Sequence, residues 1–387
     1  MKTLELATSF SIDPDASWVR EHNAEARDVL EAHKADKPIR VPVIGDDYPH
    51  MHGFYADEID LDYREYYTNV ELMLHVQLEA ARRRAEMCIY DRPLGELPDR
   101  WDLVLDHHPI QTPGWLGCEL LFRSDSVIAH RHLDLSKDEC IAMEMPDART
   151  GGHLKVIGEM IEEMTALCEG MTYLGRPVGP VWNGVMWHGL LNVALDIRGQ
   201  ELLSDMYEDP EFVDAFLLKV ATWCDALERE WGVAENPGAF HFSDHGIEML
   251  SPELYERFIV PIIHEMNKRR GAPPWPSLHH CGSGTHLFPI MQREFGLNDI
   301  GALTWPLVDI AKVRRDLGEH IWIYGSVADE IVKFGTPDTI YDAVRELMES
   351  GAKGSGRFAL GVGDLLRGTP MENREAFYAA VKEFGRY

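Results

Sequence analysis

The feature that most constrains this chain is a regular alternation of strand-like and helix-like stretches across its back half. Residues 239–244 (AFHFSD) carry a short strand pattern, and a helical stretch follows at 251–271. That helix opens with Ser251-Pro252-Glu253, an N-cap followed by proline at the first helical position. Residues 277–281 form the next strand pattern, and 285–296 a helix closed by Gly296. The pairing recurs as 300–305 with 309–317, 321–327 with 337–350, and 357–363 with 369–384. Such succession requires a parallel sheet, because a strand returns parallel to its predecessor only through a crossover long enough to hold a helix. Five units with short, similar spacing predict an α/β fold of the (β/α)8 TIM-barrel type, with a doubly wound open sheet as runner-up. Residues 179–186 and a long helical region at 199–231 supply further units.

The front of the chain is different. Residues 1–40 are polar, with a helix at 16–34; a first apolar segment lies at 39–44, and a strong helix spans 69–85. No repeat and no Ser/Gly linker divides the chain. The expected organisation is an N-terminal helical extension, residues 1–110, packed as a cap on a barrel formed by 111–387.

Composition narrows the function classes. The 387 residues are 45% hydrophobic and 26% charged, the make-up of a globular chain with room for one large barrel or two ordinary domains. Lys and Arg total 37 against 65 Asp and Glu, a formal net charge of −28. A surface that acidic repels phosphate backbones and anionic headgroups, which disfavours nucleic-acid binding and a peripheral membrane role. No stretch approaches the ~20 apolar residues of a membrane span, and the N-terminal residues lack the apolar run of a secretory signal. Cys88, Cys118, Cys140, Cys168, Cys224 and Cys281 are scattered, as expected of thiols in a reducing cytoplasm rather than of a disulfide framework. All but Cys281 sit among helical or apolar residues and read as small buried hydrophobes.

Barrels of this kind carry their catalytic groups at the C-terminal ends of strands. There this sequence places Asp244 and His245, then His279, His280 and Cys281, then Trp305, Gly325 and Asp364. The sharpest motif is Leu278-His279-His280-Cys281-Gly282-Ser283-Gly284. Residues two apart on a strand face the same side, so His279 and Cys281 point together into the barrel mouth and His280 points away. An imidazole and a thiolate converging on one point is ligand chemistry that zinc prefers, at ~2.0–2.3 Å. A further donor must come from another strand, with Asp244, Glu248, His241 and Asp364 as candidates. The opposing reading is that a lone His-x-Cys arises by chance and that a strand-end cysteine is buried filler. His50, His52, His107, His108, His130, His132 and His188 are assigned to surface or hydrogen-bonded structural roles. Trp182, Trp187, Trp305 and Tyr324 lie at or near strand ends, where they either wall an apolar substrate or fill the core.

Several segments resemble the uroporphyrinogen decarboxylase superfamily, closest to its zinc- and corrinoid-dependent methyltransferase branch. Ser243-Asp244-His245, followed by Met249-Leu250-Ser251-Pro252-Glu253-Leu254-Tyr255, resembles the family's acidic residue and SPE-Y helix start. His279-His280-Cys281-Gly282 matches its H-x-C-G motif, and Tyr324-Gly325-Ser326-Val327 is similar to its GN-V/I strand end. Gly368-Thr369-Pro370-Met371-Glu372-Asn373 matches the start of its last helix, and Arg198-Gly199-Gln200-Glu201-Leu202-Leu203 with Asp209-Pro210-Glu211 also fit. The similarity covers residues 40–385. Two departures shape what it implies. The arginine pair with which true uroporphyrinogen decarboxylases grip their substrate's carboxylates has no counterpart here, which disfavours that reaction. The second cysteine of the zinc methyltransferases is also missing: its place falls near Gly363, beside Asp364.

The resemblance therefore implies a metal-dependent methyltransferase moving a methyl group between a small O-, N- or S-methyl compound, or a thiol, and a corrinoid protein supplied as a partner. It implies Zn2+ on His279 and Cys281, completed by Asp364 or by Asp244, a harder donor set than two thiolates and so a stronger Lewis acid. Asp244, His279 and Tyr324 are the catalytic candidates, and Trp182, Trp187, His245 and Trp305 the substrate-binding ones. The expected protein is cytoplasmic and a homodimer. Two alternatives stay open. One is a metal-independent decarboxylase or lyase on a small carboxylated substrate, with Asp244 as acid/base group and His279 orienting or protonating a carbanion. The other is a catalytically silent ligand-binding homologue.

Overall fold

The structure, a computed structural model, describes residues 5–45, 53–107, 110–182, 185, 187–231, 242–243, 245–270, 277–361 and 367–387. The described residues form ten strands. Five belong to one parallel sheet: β6 (Phe242–Ser243), β7 (Ser277–His279), β8 (Asp299–Trp305), β9 (Trp322–Val327) and β10 (Phe358–Leu360), adjacent in chain order. A second sheet holds β1 (Trp101–Val104) parallel to β5 (Arg176–Trp182), with β4 (Thr172–Tyr173) antiparallel to β5. The strands β2 (Glu119–Leu121) and β3 (Ala129–Arg131) make a separate hairpin. Phe358, Ala359 and Leu360 are all buried, the signature of a parallel strand covered on both faces.

The units expected from the sequence are present: β7 leads to the helix Phe288–Phe295, β8 to Ile310–Leu317, β9 to Asp329–Phe334 and Pro337–Glu349, and β10 to Met371–Phe384. Their ends follow from local chemistry. The Asp309 carboxylate accepts from the Lys312 N–H at 2.8 Å, and Gly296 terminates its helix at a φ of 72°. The helix expected at 251–271 is divided instead. A short turn Pro252–Leu254 and a π-helical turn Tyr255–Ile259 precede the helix Val260–Arg270. Pro261 accounts for the break: it lacks an N–H, and its ring collides with the carbonyl four residues back, at Arg257, so the preceding turn widens.

Strand pairing crosses residue 110. Val43 bridges in parallel to Leu360 of β10, and the Ile44 N–H donates to the Leu360 carbonyl at 2.8 Å. Buried Asp91 fixes this stretch, accepting from the Val43 N–H at 2.6 Å, Arg40 at 2.8 Å and the Tyr378 hydroxyl at 3.0 Å. Among the described residues no ladder joins β1 or β5 to the five-stranded sheet. No described helix is long and apolar enough to cross a membrane, and the six cysteines form no disulfide.

Candidate metal centre

Parallel register decides which side chains meet at the carboxyl edge of the sheet. Ser243 of β6 pairs with His279 of β7, so two residues further along each chain His245 comes beside Cys281. The Cys281 Sγ lies 3.0 Å from His279 Nε2, and the Cys281 N–H points to His245 Nδ1 at 3.4 Å. The His245 and His279 rings meet edge to face, with centroids 5.7 Å apart. Each of the three residues offers a ligand atom, and these atoms all lie within 4.8 Å of one another. Donors around a tetrahedral zinc are separated by about 3.3–3.8 Å, so the set fits that ion once the 3.0 Å Cys281–His279 pair opens slightly and any wider separation, none above 4.8 Å, closes. Two imidazoles and a thiolate are also the donors zinc favours.

The glycines of the motif make this geometry possible. His280 is fully buried behind the cluster, its ring stacked beside that of His245 with centroids 6.1 Å apart and edge-on to Phe288, its Nε2 accepting from the Gly284 N–H at 2.9 Å. A Cβ at Gly284 would stand 2.8 Å from that same nitrogen, and one at Gly282 would collide with the Glu248 carboxylate. Glu248 closes the turn from above, its Oε2 accepting from the Ser283 N–H at 2.7 Å and the Ser283 hydroxyl at 3.1 Å. The Ser283 N–H is the main cause that holds the Glu248 carboxyl below its usual range, so it is ionised. Burial pushes the His245 imidazole below its ordinary value while Glu248 opposes the shift, leaving the neutral ring that a metal requires.

The remaining candidates lie as follows. Asp244, His241 and Asp364 fall outside the described residues. Trp305 ends β8 and packs against the core, and Trp187 is buried. Trp182 is 43% exposed and lines a cavity of about 1080 Å³ with Arg84, Arg100, Trp101 and Val104, beside the other parallel pair of strands. The Tyr324 hydroxyl donates to the Ile44 carbonyl at 3.0 Å, tying β9 to the segment beside β10. Sequence reasoning counted His245 as a substrate-binding residue rather than a donor. The available signal was its place two residues past β6, but the register that turns this into contact with Cys281 is a property of two strands.

Comparison with known proteins agrees with this architecture. The family model described as Uroporphyrinogen decarboxylase (URO-D) matches residues 111–384. A uroporphyrinogen decarboxylase from Coxiella burnetii (strain RSA 493 / Nine Mile phase I) is 26% identical over 184 residues, 46% of this chain and 49% of that protein. Another from Synechococcus sp. (strain CC9605) is 39% identical over 135 residues, 34% of this chain and 37% of that one. The chain thus matches about half the length, or less, of these curated relatives. A solved methyltransferase from Methanosarcina mazei shares the fold, with a TM-score of 0.58 at 19% identity over 93% of this chain and 98% of that one. With its last helix, its H-x-C-G turn and its parallel sheet all inside the matched span, the chain belongs to the uroporphyrinogen decarboxylase family.

Proposed function

We propose that this chain is a metal-dependent methyltransferase, moving a methyl group between a small O-, N- or S-methyl compound, or a thiol, and a corrinoid protein. The observation that carries the reading is the meeting of Cys281 Sγ and His279 Nε2 at 3.0 Å beside His245. The fold shared with a methyltransferase supports it. In this reading residues 41–44, β1 and β5 to β10 close in chain order into a (β/α)8 barrel, with 111–387 carrying most of it. The part of 1–110 outside the first two strands is the cap.

A zinc ion on His245, His279 and Cys281 would supply a Lewis acid, making a thiolate of a bound thiol or polarising a methyl-bearing oxygen or nitrogen. The chain's own groups prepare that chemistry. His245 stays neutral through burial, and ionised Glu248 holds the Ser283 turn and with it the position of Cys281. Exposed Cys281 leaves the face over the cluster open to substrate and to the corrinoid partner. Asp244 and Asp364, the carboxylates assigned to this mouth, move protons or add a donor. Trp187, Trp305 and Tyr324 wall the same strand ends, and Trp182 extends the wall across β5. The reading takes the protein as a cytoplasmic homodimer.

The relatives named as decarboxylases favour one second reading, a metal-independent lyase on a small carboxylated substrate with Asp244 as acid/base group. Cobalt substitution separates the two. Under the methyltransferase reading, Co2+-loaded protein shows thiolate-to-cobalt absorption, and this band and methyl transfer to an added corrinoid protein both vanish in Cys281→Ala. A chelator-treated protein that decarboxylates a small acid at the untreated rate would overturn that reading.

A further inference from the structure

A second set of donors converges away from the strand-end centre, where the β2–β3 hairpin meets the helix Leu190–Arg198. His130 lies in β3 and His132 one residue past its end. Two apart on extended chain, their side chains leave the same face. His130 Nε2 is 2.7 Å from Oδ1 of Asp196, and His132 Nε2 is 3.8 Å from the same oxygen. Backbone bonds hold this arrangement: the Leu133 N–H donates to the Asp196 carbonyl at 2.7 Å, and the Leu135 N–H to that of Ile197 at 2.9 Å. Asp196 is only 7% exposed, so its carboxylate is largely withdrawn from water and requires compensating partners.

A structural role explains His130, which hydrogen-bonds that carboxylate, but it does not explain His132. At 3.8 Å the second imidazole is beyond hydrogen-bond reach, yet it is aimed at the same oxygen. The three ligand atoms lie within 4.8 Å of one another. Donors around a zinc-sized ion are about 3.0–3.4 Å apart, and the observed 2.7 and 3.8 Å separations straddle that range.

We propose that His130, His132 and Asp196 form a second metal site, for a divalent transition-metal cation of the zinc, cobalt and nickel class. Two imidazoles with one carboxylate suit those ions, whereas Mg2+ and Ca2+ take oxygen shells. Three protein ligands leave a position for water on the side where the His132 side chain is 41% exposed. The bound ion clamps the hairpin to the helix. One turn earlier on that helix, Asn192 Oδ1 accepts from the Gly246 N–H at 2.8 Å, so the clamped helix also braces the residue next to His245. The proposal does not rest on the methyltransferase reading.

The test uses the full chain carrying Cys281→Ala, which lacks the sulfur donor of the strand-end centre. Metal-free protein is titrated with Zn2+ by calorimetry and melted with and without it. We expect about one zinc per chain and a zinc-dependent rise in Tm. Adding His132→Ala should weaken that zinc by more than roughly 100-fold, beyond what loss of a mere supporting partner costs, and abolish the rise in Tm. The metal-free melting temperature should not change, because His132 is exposed and makes no hydrogen bond to Asp196. Zinc bound equally well with and without His132, or no zinc bound by the Cys281→Ala protein at all, would overturn the proposal.

Discussion

The two donor clusters are built on the same local device and differ in everything around it. His279 with Cys281, and His130 with His132, are each two residues apart at a strand end, and each pair meets a third group from a neighbouring element. At the sheet edge that group is the half-buried imidazole of His245, and the sulfur of Cys281 is open to solvent. At the hairpin it is the buried carboxylate of Asp196, and only His132 is exposed. A soft, accessible donor on a turn shaped by two glycines suits exchange of substrate. A hard, buried donor on a helix suits a permanent clamp. Spacing alone therefore does not distinguish a reactive centre from a structural one; the softness of the donor set and the exposure of its sulfur or burial of its carboxylate do.

The largest effect expected from this contrast is that of Cys281→Ala. Zinc affinity at the sheet edge should fall by more than roughly 100-fold and methyl transfer should cease. The metal-free protein should unfold within about 0.5 kcal/mol of the parent, because the side chain is exposed. A simultaneous loss of the hairpin's zinc in metal analysis would break the comparison, since it would make the clusters one unit.

A second histidine pair, outside both clusters, serves as control. His107 stacks on His153 with centroids 5.4 Å apart and contacts the Tyr67 carbonyl through Nε2 at 2.9 Å. Burial, with His153 adding to it, pushes the His107 pKa down to about 4. The unfolded value is higher, about 6.5, so between these limits the unfolded chain binds more protons. Stability is therefore complete above about pH 6.5 and declines as pH falls toward 4, by about 2–3 kcal/mol at pH 4.5 from this group. Urea unfolding of the parent and of His107→Gln, at pH 7.5 and 4.5, reads the difference. Equal pH dependence in both proteins would show that His107 does not carry a depressed titration.

How much of this was legible in the sequence depends on the range of the interaction. The strand expected at 300–305 is Asp299–Trp305 and the helix expected at 337–350 is Pro337–Glu349, because period and caps are local signals. The convergence of His279 and Cys281 was legible for the same reason. The third donors were not. His245 reaches Cys281 through the register of β6 with β7, and Asp196 reaches His130 through the packing of a hairpin on a helix. Nor does anything local announce that Val43 lies beside Leu360, which Asp91 secures from a third place in the chain. The widened turn at Tyr255–Ile259 was missed although its cause, Pro261, is in plain sight, because the helical period continues across it.

Glu248→Gln sharpens the role of the turn at the sheet edge. The amide still accepts from the Ser283 N–H but removes the charge beside His245 and His280. Zinc affinity at the strand-end cluster should drop roughly 10-fold, and at most about 100-fold, as for other groups that orient a ligand without binding the ion. Competition with a chromophoric chelator measures it, and the hairpin's zinc supplies the internal reference. An unchanged affinity would remove Glu248 from the centre and leave it as a turn residue.

The smallest effect concerns whether the clusters communicate. Asn192 and Asp196 lie one turn apart on the helix Leu190–Arg198, and the Asn192 amide oxygen accepts from the Gly246 N–H at 2.8 Å. Asn192→Ala deletes that bond and should cost about 1 kcal/mol of stability. If the helix braces His245, the same cost appears as a roughly 5-fold loss of zinc affinity at the strand-end cluster, since about 1.4 kcal/mol corresponds to tenfold. Coupling between the clusters is then reciprocal: in the parent, zinc at the hairpin tightens zinc at the sheet edge, and in Asn192→Ala it no longer does. Titrating the sheet-edge cluster in His132→Ala, alone and combined with Asn192→Ala, completes the cycle. Strictly additive losses would mean that the helix is merely shared, and that each cluster answers only to its own third donor.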